Sequence, residues 1–133
     1  MKYVMDTNIW IRLLRKENNV RSAVTAALSR GDQILLTSIV YFELLRGLQK
    51  RNDTQSIDII KKMLNAQGCA YQECSRPIWD AAINLWVEAC QQNKAREDAD
   101  IVIAAFAKHM GATVVTDNTK HFSHLGVHVE TWN

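Results

Sequence analysis

Short apolar segments alternate with helical patterns along this chain, and that alternation most constrains its fold. Strand-like runs occur at residues 2–5, 33–38, 69–73, 112–116 and 127–130. Between them, apolar residues recur at spacings of three and four, which predicts amphipathic helices. Strands that alternate with helices predict an α/β/α sandwich whose central sheet is mostly parallel.

Capping and breaking residues indicate where these helices begin and end. Ser38 is placed to cap a helix over residues 39–51, and Pro77 lies in the first turn of the most amphipathic helix. Gly111 is expected to end a helix that starts near Ala99. Further helices are predicted from about residue 9, around residues 20–28 and over residues 54–66. The apolar stripe after Pro77 is predicted to face the core: Trp79, Ala82, Ile83, Trp86, Val87 and Cys90.

The composition is typical of one globular domain. The chain has 133 residues, of which 47% are hydrophobic and 23% are charged, and it contains one proline. We therefore expect a single domain over residues 1–133. A net charge of +2 is too small to identify a nucleic-acid partner by itself.

The sequence predicts a cytoplasmic protein that does not contact a membrane. Few apolar residues precede Asp6, which is unlike a signal peptide. Uncharged stretches such as residues 33–42 are much shorter than the roughly 20 apolar residues that span a bilayer. The three cysteines lack metal-site spacing, which favours reduced thiols.

Four acidic residues are predicted to meet at one edge of the sheet. Asp6 directly follows the first strand, and Asp117 follows the fourth. Glu43 lies about one turn into its helix, and Asp100 lies in the first turn of a helix that is apolar on nearly every side. Ligands bind beyond the carboxyl ends of parallel strands, so these carboxylates are expected to share one crevice.

Each acid also has an ordinary structural explanation. Asp6 could cap its helix, although Thr7 and Asn8 could do so instead. Glu43 could pair with a basic residue three positions later, and Asp117 could be a turn residue. The remaining acids of the last long helix are predicted to be a cap, Asp98, and a solvated or ion-paired residue, Glu97, with Lys94 or Arg96 as its partner.

Several carboxylates in one buried site repel one another unless a cation lies between them. Oxygen ligands without zinc-like spacing of Cys or His favour Mg²⁺, with Mn²⁺ as a substitute, over Zn²⁺. One or two such ions can activate water and stabilise the leaving oxygen in phosphodiester cleavage. The acids therefore predict a metal site suited to that chemistry.

Four ordered motifs carry a family resemblance: MDTNIW, TSIVYFELLRG, DADIVIAAFA and VVTDNTKHF. In this combination the chain resembles the PIN-domain ribonucleases, and more narrowly the VapC toxins of bacterial toxin–antitoxin pairs. The resemblance covers essentially the whole chain and implies a PIN-like α/β/α sandwich. It also implies a metal-dependent endoribonuclease that a VapB-type antitoxin neutralises by placing its tail in the active site.

The resemblance assigns roles to individual residues. Asp6, Glu43 and Asp100 are the acids that bind the metal, and Asp117 is a fourth catalytic acid. Supporting residues that orient or line the site are Asn8, Thr116 and Asn118. Many PIN proteins place the fourth acid two residues after the threonine, where this chain has an amide. A second metal is therefore an open question.

Within the toxin branch, the chain is similar to members that cut initiator tRNA in its anticodon loop. Arg46, Lys50 and Lys120 are the expected phosphate contacts, although they could also form a solvated surface. A homodimer is expected because toxins of this kind commonly dimerise. The alternative is a PIN module that binds RNA or a partner protein without cutting. A phosphoacceptor domain or a haloacid-type phosphatase would require a second acid beside Asp6, where this chain has Thr7 and Asn8.

Overall fold

Five parallel strands form the centre of the molecule in the computed structural model, which describes residues 1–94 and 97–133. They are β1 (Lys2–Met5), β2 (Gln33–Thr37), β3 (Cys69–Gln72), β4 (Thr113–Val115) and β5 (Val129–Glu130). Their order across the sheet is β3-β2-β1-β4-β5, and each neighbouring pair is parallel. The predicted α/β fold around a mostly parallel sheet is confirmed.

Seven helices flank this sheet in the described part of the chain. They are α1 (Thr7–Leu14), α2 (Asn18–Ser29), α3 (Ser38–Lys50), α4 (Thr54–Leu64), α5 (Arg76–Gln91), α6 (Asp98–Met110) and the single turn α7 (Thr119–Phe122). Within residues 1–94 and 97–133, no helix is both long enough and apolar enough to cross a bilayer. Arg96, a predicted partner of Glu97, lies outside the described residues.

Helix α6 is buried along most of its length, which explains the long apolar run in the motif DADIVIAAFA. Residues 101–107 are all buried, with none more than 7% exposed. The helix packs on β1 and β4 and also contacts α3 and α5. Because α6 has protein on nearly every side, a charge in its middle would be desolvated without a partner. Its acids are accordingly confined to the first turn.

The orientation predicted for α5 is wrong. Of the predicted core stripe only Ala82 is buried, whereas Trp79, Ile83, Trp86 and Val87 are between 41% and 61% exposed. The buried face of α5 instead contains Ile78, Ala82 and Ala89. Small side chains on this face let the α5 backbone approach α6 closely, and the larger apolar residues are turned outward. The spacing identified an amphipathic helix correctly. The helix has two apolar faces, however, and the predicted face is not the one that is buried.

Two predicted helix caps are also wrong, while the predicted helix end is confirmed. Ser38 is the first residue of α3 rather than its cap, and its Oγ accepts a hydrogen bond of 2.9 Å from the Cys74 N–H. Asp98 is the first residue of α6, and Glu97 occupies the cap position without a capping hydrogen bond from its side chain. Gly111 ends α6 in the left-handed region, at φ +64°.

A matched pair of glycine substitutions tests this backbone geometry. Gly111→Ala should lower the free energy of unfolding by about 1–2 kcal/mol, because an L-residue is strained at positive φ. A Cβ at this position meets nothing within 4 Å, so the cost is one of backbone conformation alone. Gly47→Ala, inside α3, should raise the stability by about 0.5–1 kcal/mol. Urea denaturation of both variants measures the two signs, and a stabilising Gly111→Ala would contradict the assignment.

Candidate active site

The site lies where the strand order of the sheet reverses, between β1 and β4. Met5 pairs with Val115 at the ends of these strands, so Asp6 and Thr116 emerge side by side. The Thr116 Oγ1 hydroxyl donates a hydrogen bond of 2.8 Å to Asp6 Oδ2. Ligands of parallel sheets bind at such a reversal, beyond the carboxyl ends of the strands.

Asp6 occupies the cap position of α1, but its carboxylate does not cap the helix. The residue is only 8% exposed, and its Oδ2 is held by Thr116. The alternative in which Asp6 serves mainly as a helix cap is therefore wrong. Thr7 and Asn8 do not cap the helix either, because they form its first turn. A buried carboxylate held at one oxygen is suited to receive a cation at the other.

Glu43 reaches the same place from α3. Thr7 Oγ1 donates a hydrogen bond of 3.1 Å to Glu43 Oε1, which holds this carboxylate at the first residue of α1, the residue that follows Asp6 in the chain. The ion pair suggested with Arg46 is loose, at 3.9 Å, and the Arg46 side chain is 60% exposed. Such a pair adds little stability. Glu43 is thus oriented chiefly by Thr7.

Asp100 joins these acids from the first turn of α6. Burial raises the pKa of the Asp100 carboxyl above its usual value, and the nearby charge of Asp6 raises it further. A hydrogen bond of 2.9 Å between His121 Nδ1 and Asp100 Oδ2 opposes this rise without cancelling it. The carboxylates of Asp6 and Asp100 are therefore close enough to repel each other.

Glu97 and His121 extend the site beyond the predicted residues. One ligand atom from each of Glu97, Asp100 and His121 lies within 4.8 Å of the others. The sequence predicted Glu97 to be solvated or ion-paired, not a member of the site. The spacing of Glu97 and Asp100, three apart at the start of a helix, was a usable signal for one side of this group. His121 belongs to α7, and only the packing of α7 on α6 brings it there.

Asp117 does not contact the other acids directly within the described residues. Both of its carboxylate oxygens accept hydrogen bonds from Arg12 Nη1, at 2.9 and 3.1 Å. The neighbouring Asn118 shapes the loop through its backbone N–H, which donates to Thr116 Oγ1 at 3.0 Å. Asn8 is exposed, and in residues 1–94 and 97–133 its side chain makes no hydrogen bond to the carboxylates.

The predicted phosphate-contacting residues are all exposed: Arg46, Lys50 and Lys120. Arg46 and Lys50 lie on α3, the helix that carries Glu43, and the Arg46 guanidinium sits 4.9 Å from the centre of the Phe42 ring. Lys120 lies on α7 beside His121. Their positions place positive charge near the acidic site and leave it accessible to a large anionic ligand.

The chemistry of these donors fits a hard divalent cation. Asp6, Glu43 and Asp100 offer oxygen ligands, which Mg²⁺ and Mn²⁺ prefer. Burial is the main reason that the pKa of Asp100 is raised, and the negative charges of Asp6 and Glu97 add to it. A bound cation would offset the repulsion of Asp100 by Asp6 and Glu97, and the group of Glu97, Asp100 and His121 offers ligand atoms close enough together to hold one.

Comparison with known proteins identifies the family, since the PIN domain family matches residues 3–127. The chain belongs to the PIN domain family. It is similar to ribonuclease VapC1 of Haemophilus influenzae strain R2866, with 26% identity over 130 residues that cover 94% of this chain and 92% of that protein. The resemblance to PIN-domain ribonucleases of the VapC type is thereby confirmed.

Solved structures agree on the PIN fold. The structure of VapBC2 from Rickettsia felis bound to a promoter DNA fragment gives a TM-score of 0.87 at 24% identity, with full coverage of both chains (100%). DNA-bound VapBC from Salmonella typhimurium gives a TM-score of 0.86 at 20% identity, covering 100% of this chain and 99% of that one. At these identities the similarity establishes the fold, and the predicted PIN-like sandwich is confirmed.

The repulsion at Asp100 predicts the sign of a stability change. A carboxyl whose pKa is raised by folding binds its proton more tightly in the native state, so its ionisation destabilises the fold as pH rises above the ordinary carboxyl pKa. Asp100→Asn removes that charge. The variant should therefore melt at a higher temperature than the parent protein in EDTA at neutral pH.

The difference between Asp100→Asn and the parent should shrink as the pH falls toward the ordinary carboxyl pKa of about 4, where both side chains are neutral. Asp98→Asn is the matched control, because it is the same substitution on the exposed side of the same turn. It should not raise the melting temperature. Strong destabilisation by Asp100→Asn in EDTA would show that the carboxylates do not repel one another.

Proposed function

We propose that this chain, as a single PIN domain over residues 1–133, is the toxin of a VapBC-type pair and a Mg²⁺-dependent endoribonuclease that acts in the cytoplasm. The observation that carries the proposal is the arrangement of Asp6, Glu43 and Asp100 at the reversal point of a PIN fold. The similarity to ribonuclease VapC1 supports hydrolysis of RNA. The VapBC complexes among the similar structures support an antitoxin partner of the VapB type.

Each proposed ligand is oriented by a neighbour that also serves the fold. Thr116 fixes one oxygen of Asp6, Thr7 fixes one oxygen of Glu43, and His121 fixes one oxygen of Asp100. Asp6 and Asp100 anchor the ion, and Glu43 completes its shell directly or through water. When bound, Mg²⁺ activates a water and stabilises the leaving oxygen of the scissile phosphodiester.

Other residues serve the RNA rather than the ion. Arg46, Lys50 and Lys120 contact phosphates on either side of the scissile bond, which is supported by their exposure beside the acids. Asn8 and the loop of Thr116, Asp117 and Asn118 line the same crevice. We take the anticodon loop of initiator tRNA as the substrate, because the sequence is similar to the VapC toxins that cut there.

Cleavage of total tRNA by the purified protein, with Mg²⁺ and with EDTA, tests the activity. Discrete RNA ends should form only with Mg²⁺, and their position should fall in an anticodon loop. Asp6→Asn should lower the rate by on the order of 10²-fold or more, because it removes a charge that the transition state depends on. Asp58→Asn, at an exposed acid of α4, should cut as the parent protein does.

The outcomes separate the chemistry from the substrate. Cleavage of ribosomal RNA without cleavage of tRNA would keep the nuclease and discard initiator tRNA. Failure to cut either RNA, with a folded protein, would favour the module that binds without cutting. Cleavage that persists in EDTA or in Asp6→Asn would contradict the metal mechanism.

The outward side of α5 supports the proposed homodimer. We define the α5 face as Trp79, Ile83, Trp86 and Val87, each at least 41% exposed. The face continues toward the start of α3, because Trp79 Nε1 donates to the Cys74 carbonyl and the Cys74 N–H donates to Ser38. Contiguous apolar surfaces of this kind are uncommon on soluble monomers and mark interaction sites. A second copy of the chain would bury them against an identical face.

Light scattering after gel filtration tests the dimer. The parent protein should have twice the mass of one chain, and Ile83→Glu and Val87→Glu should each shift it toward the monomer by burying a charge at the interface. Thr25→Glu, on the exposed side of α2, is the control and should leave the mass unchanged. A parent protein that elutes as a monomer would remove the α5 face as a self-association surface.

A further inference from the structure

His121 lies on α7 with its ring against the first turn of α6. Its Nδ1 is 2.9 Å from Asp100 Oδ2, and the two side chains are 39% and 13% exposed. The next residue, Phe122, is fully buried, and α7 packs on α6. The position of the imidazole ring is therefore set by the packing of the core.

Glu97 brings a third donor to the same point. It occupies the cap position of α6, and residues three apart at the start of a helix lie side by side. One ligand atom from each of Glu97, Asp100 and His121 lies within 4.8 Å of the others. A histidine that only oriented Asp100 would need a single contact with that carboxyl. Three donors from two elements around one point can instead surround an ion.

The spacing of these atoms fits the coordination shell of an octahedral ion. With bonds of about 2.1 Å, neighbouring ligand atoms are about 3.0 Å apart and opposite ones about 4.2 Å apart. The 2.9 Å between His121 Nδ1 and Asp100 Oδ2 matches two neighbouring ligands. Glu97 is exposed, so a rotation of its side chain can shorten the separations of up to 4.8 Å. A bound ion would replace the proton between Nδ1 and Oδ2, and the neutral ring would carry its proton on Nε2.

We propose that His121 is a ligand of the divalent ion that Asp100 binds, with Glu97 as a further donor, so that this site binds Mn²⁺ more tightly than Mg²⁺. A nitrogen ligand favours a transition-metal ion, because Mg²⁺ prefers oxygen and gives up its waters reluctantly. The inference rests on the proposed function, since it concerns the ion of the proposed metal site. The hydrolytic chemistry is unchanged, because either ion can activate water.

Pulsed electron paramagnetic resonance of Mn²⁺ bound to the full-length protein tests the proposal. Mn²⁺ is added below the protein concentration, so that the tightest site is observed. The parent protein should show the coupling of Mn²⁺ to a directly bound imidazole nitrogen. His121→Asn should lose this coupling, although its amide can still donate a hydrogen bond to Asp100. His109→Asn, the matched control at the exposed end of α6, should keep it.

The affinities for the two ions give a second readout, measured by calorimetric titration. His121→Asn should weaken Mn²⁺ binding by about tenfold or more and Mg²⁺ binding by less, so the ratio of the two affinities should fall. Glu97→Gln removes an oxygen ligand and should weaken both ions alike. His109→Asn should leave both affinities unchanged. A histidine that only positioned Asp100 would affect both ions by the same factor, and His121→Asn would then restore most of the affinity lost in His121→Ala.

The outcomes separate this inference from the proposed function. Bound Mn²⁺ without a nitrogen coupling in the parent protein, or a coupling that persists in His121→Asn, would overturn the role of His121 and leave the metal-dependent nuclease standing. Equal losses of Mn²⁺ and Mg²⁺ affinity in His121→Asn would also overturn it. A parent protein that binds neither ion would overturn the proposed function together with this inference. If His121→Asn does not fold, His121→Gln supplies the same comparison.

Discussion

The burial of α6 between the sheet and its neighbouring helices is the constraint on which the site depends. Residues 101–107 leave no surface for a charged side chain, so the helix carries charged residues only at its two ends, and its acids lie in the first turn. That turn lies at the edge where β1 and β4 end, since α6 packs along both strands. The same packing that stabilises the core therefore delivers Asp100 to Asp6. The burial of α6 thus determines both the packing of the core and the position of Asp100.

Hydrogen bonds between distant parts of the chain orient the acids of the site. Thr116, Thr7 and His121 each form a hydrogen bond with one oxygen of an acid from another element, and these bonds fix the orientation of the three carboxylates. Placing carboxylates close together raises the free energy of the fold when no cation is bound, and a bound cation lowers it. A divalent cation bound at these oxygens would offset the repulsion between Asp6 and Asp100.

Much of this could be read from the sequence because it depends on local patterns. Strand-like runs alternate with helical patterns along the chain, so the parallel sheet, and one shared edge for Asp6, Glu43, Asp100 and Asp117, could be predicted from periodicity and topology. The contacts of His121 and Arg12 could not, since they join residues 21 and 105 positions apart. The buried face of α5 was predicted wrongly for a related reason, because it depends on how closely α5 can approach α6.

Asp100 and Asp117 were both predicted to be acids of the site, but the surrounding residues compensate their negative charges to different extents. Asp117 has an internal cation, Arg12, which satisfies both of its oxygens without any ligand. Asp100 shares one hydrogen bond with His121, and burial, together with the negative charges of Asp6 and Glu97, raises the pKa of its carboxyl. A metal ion gains most where negative charge is least compensated. Under the proposed mechanism, a cation would therefore be stabilised more by the carboxylate of Asp100 than by that of Asp117.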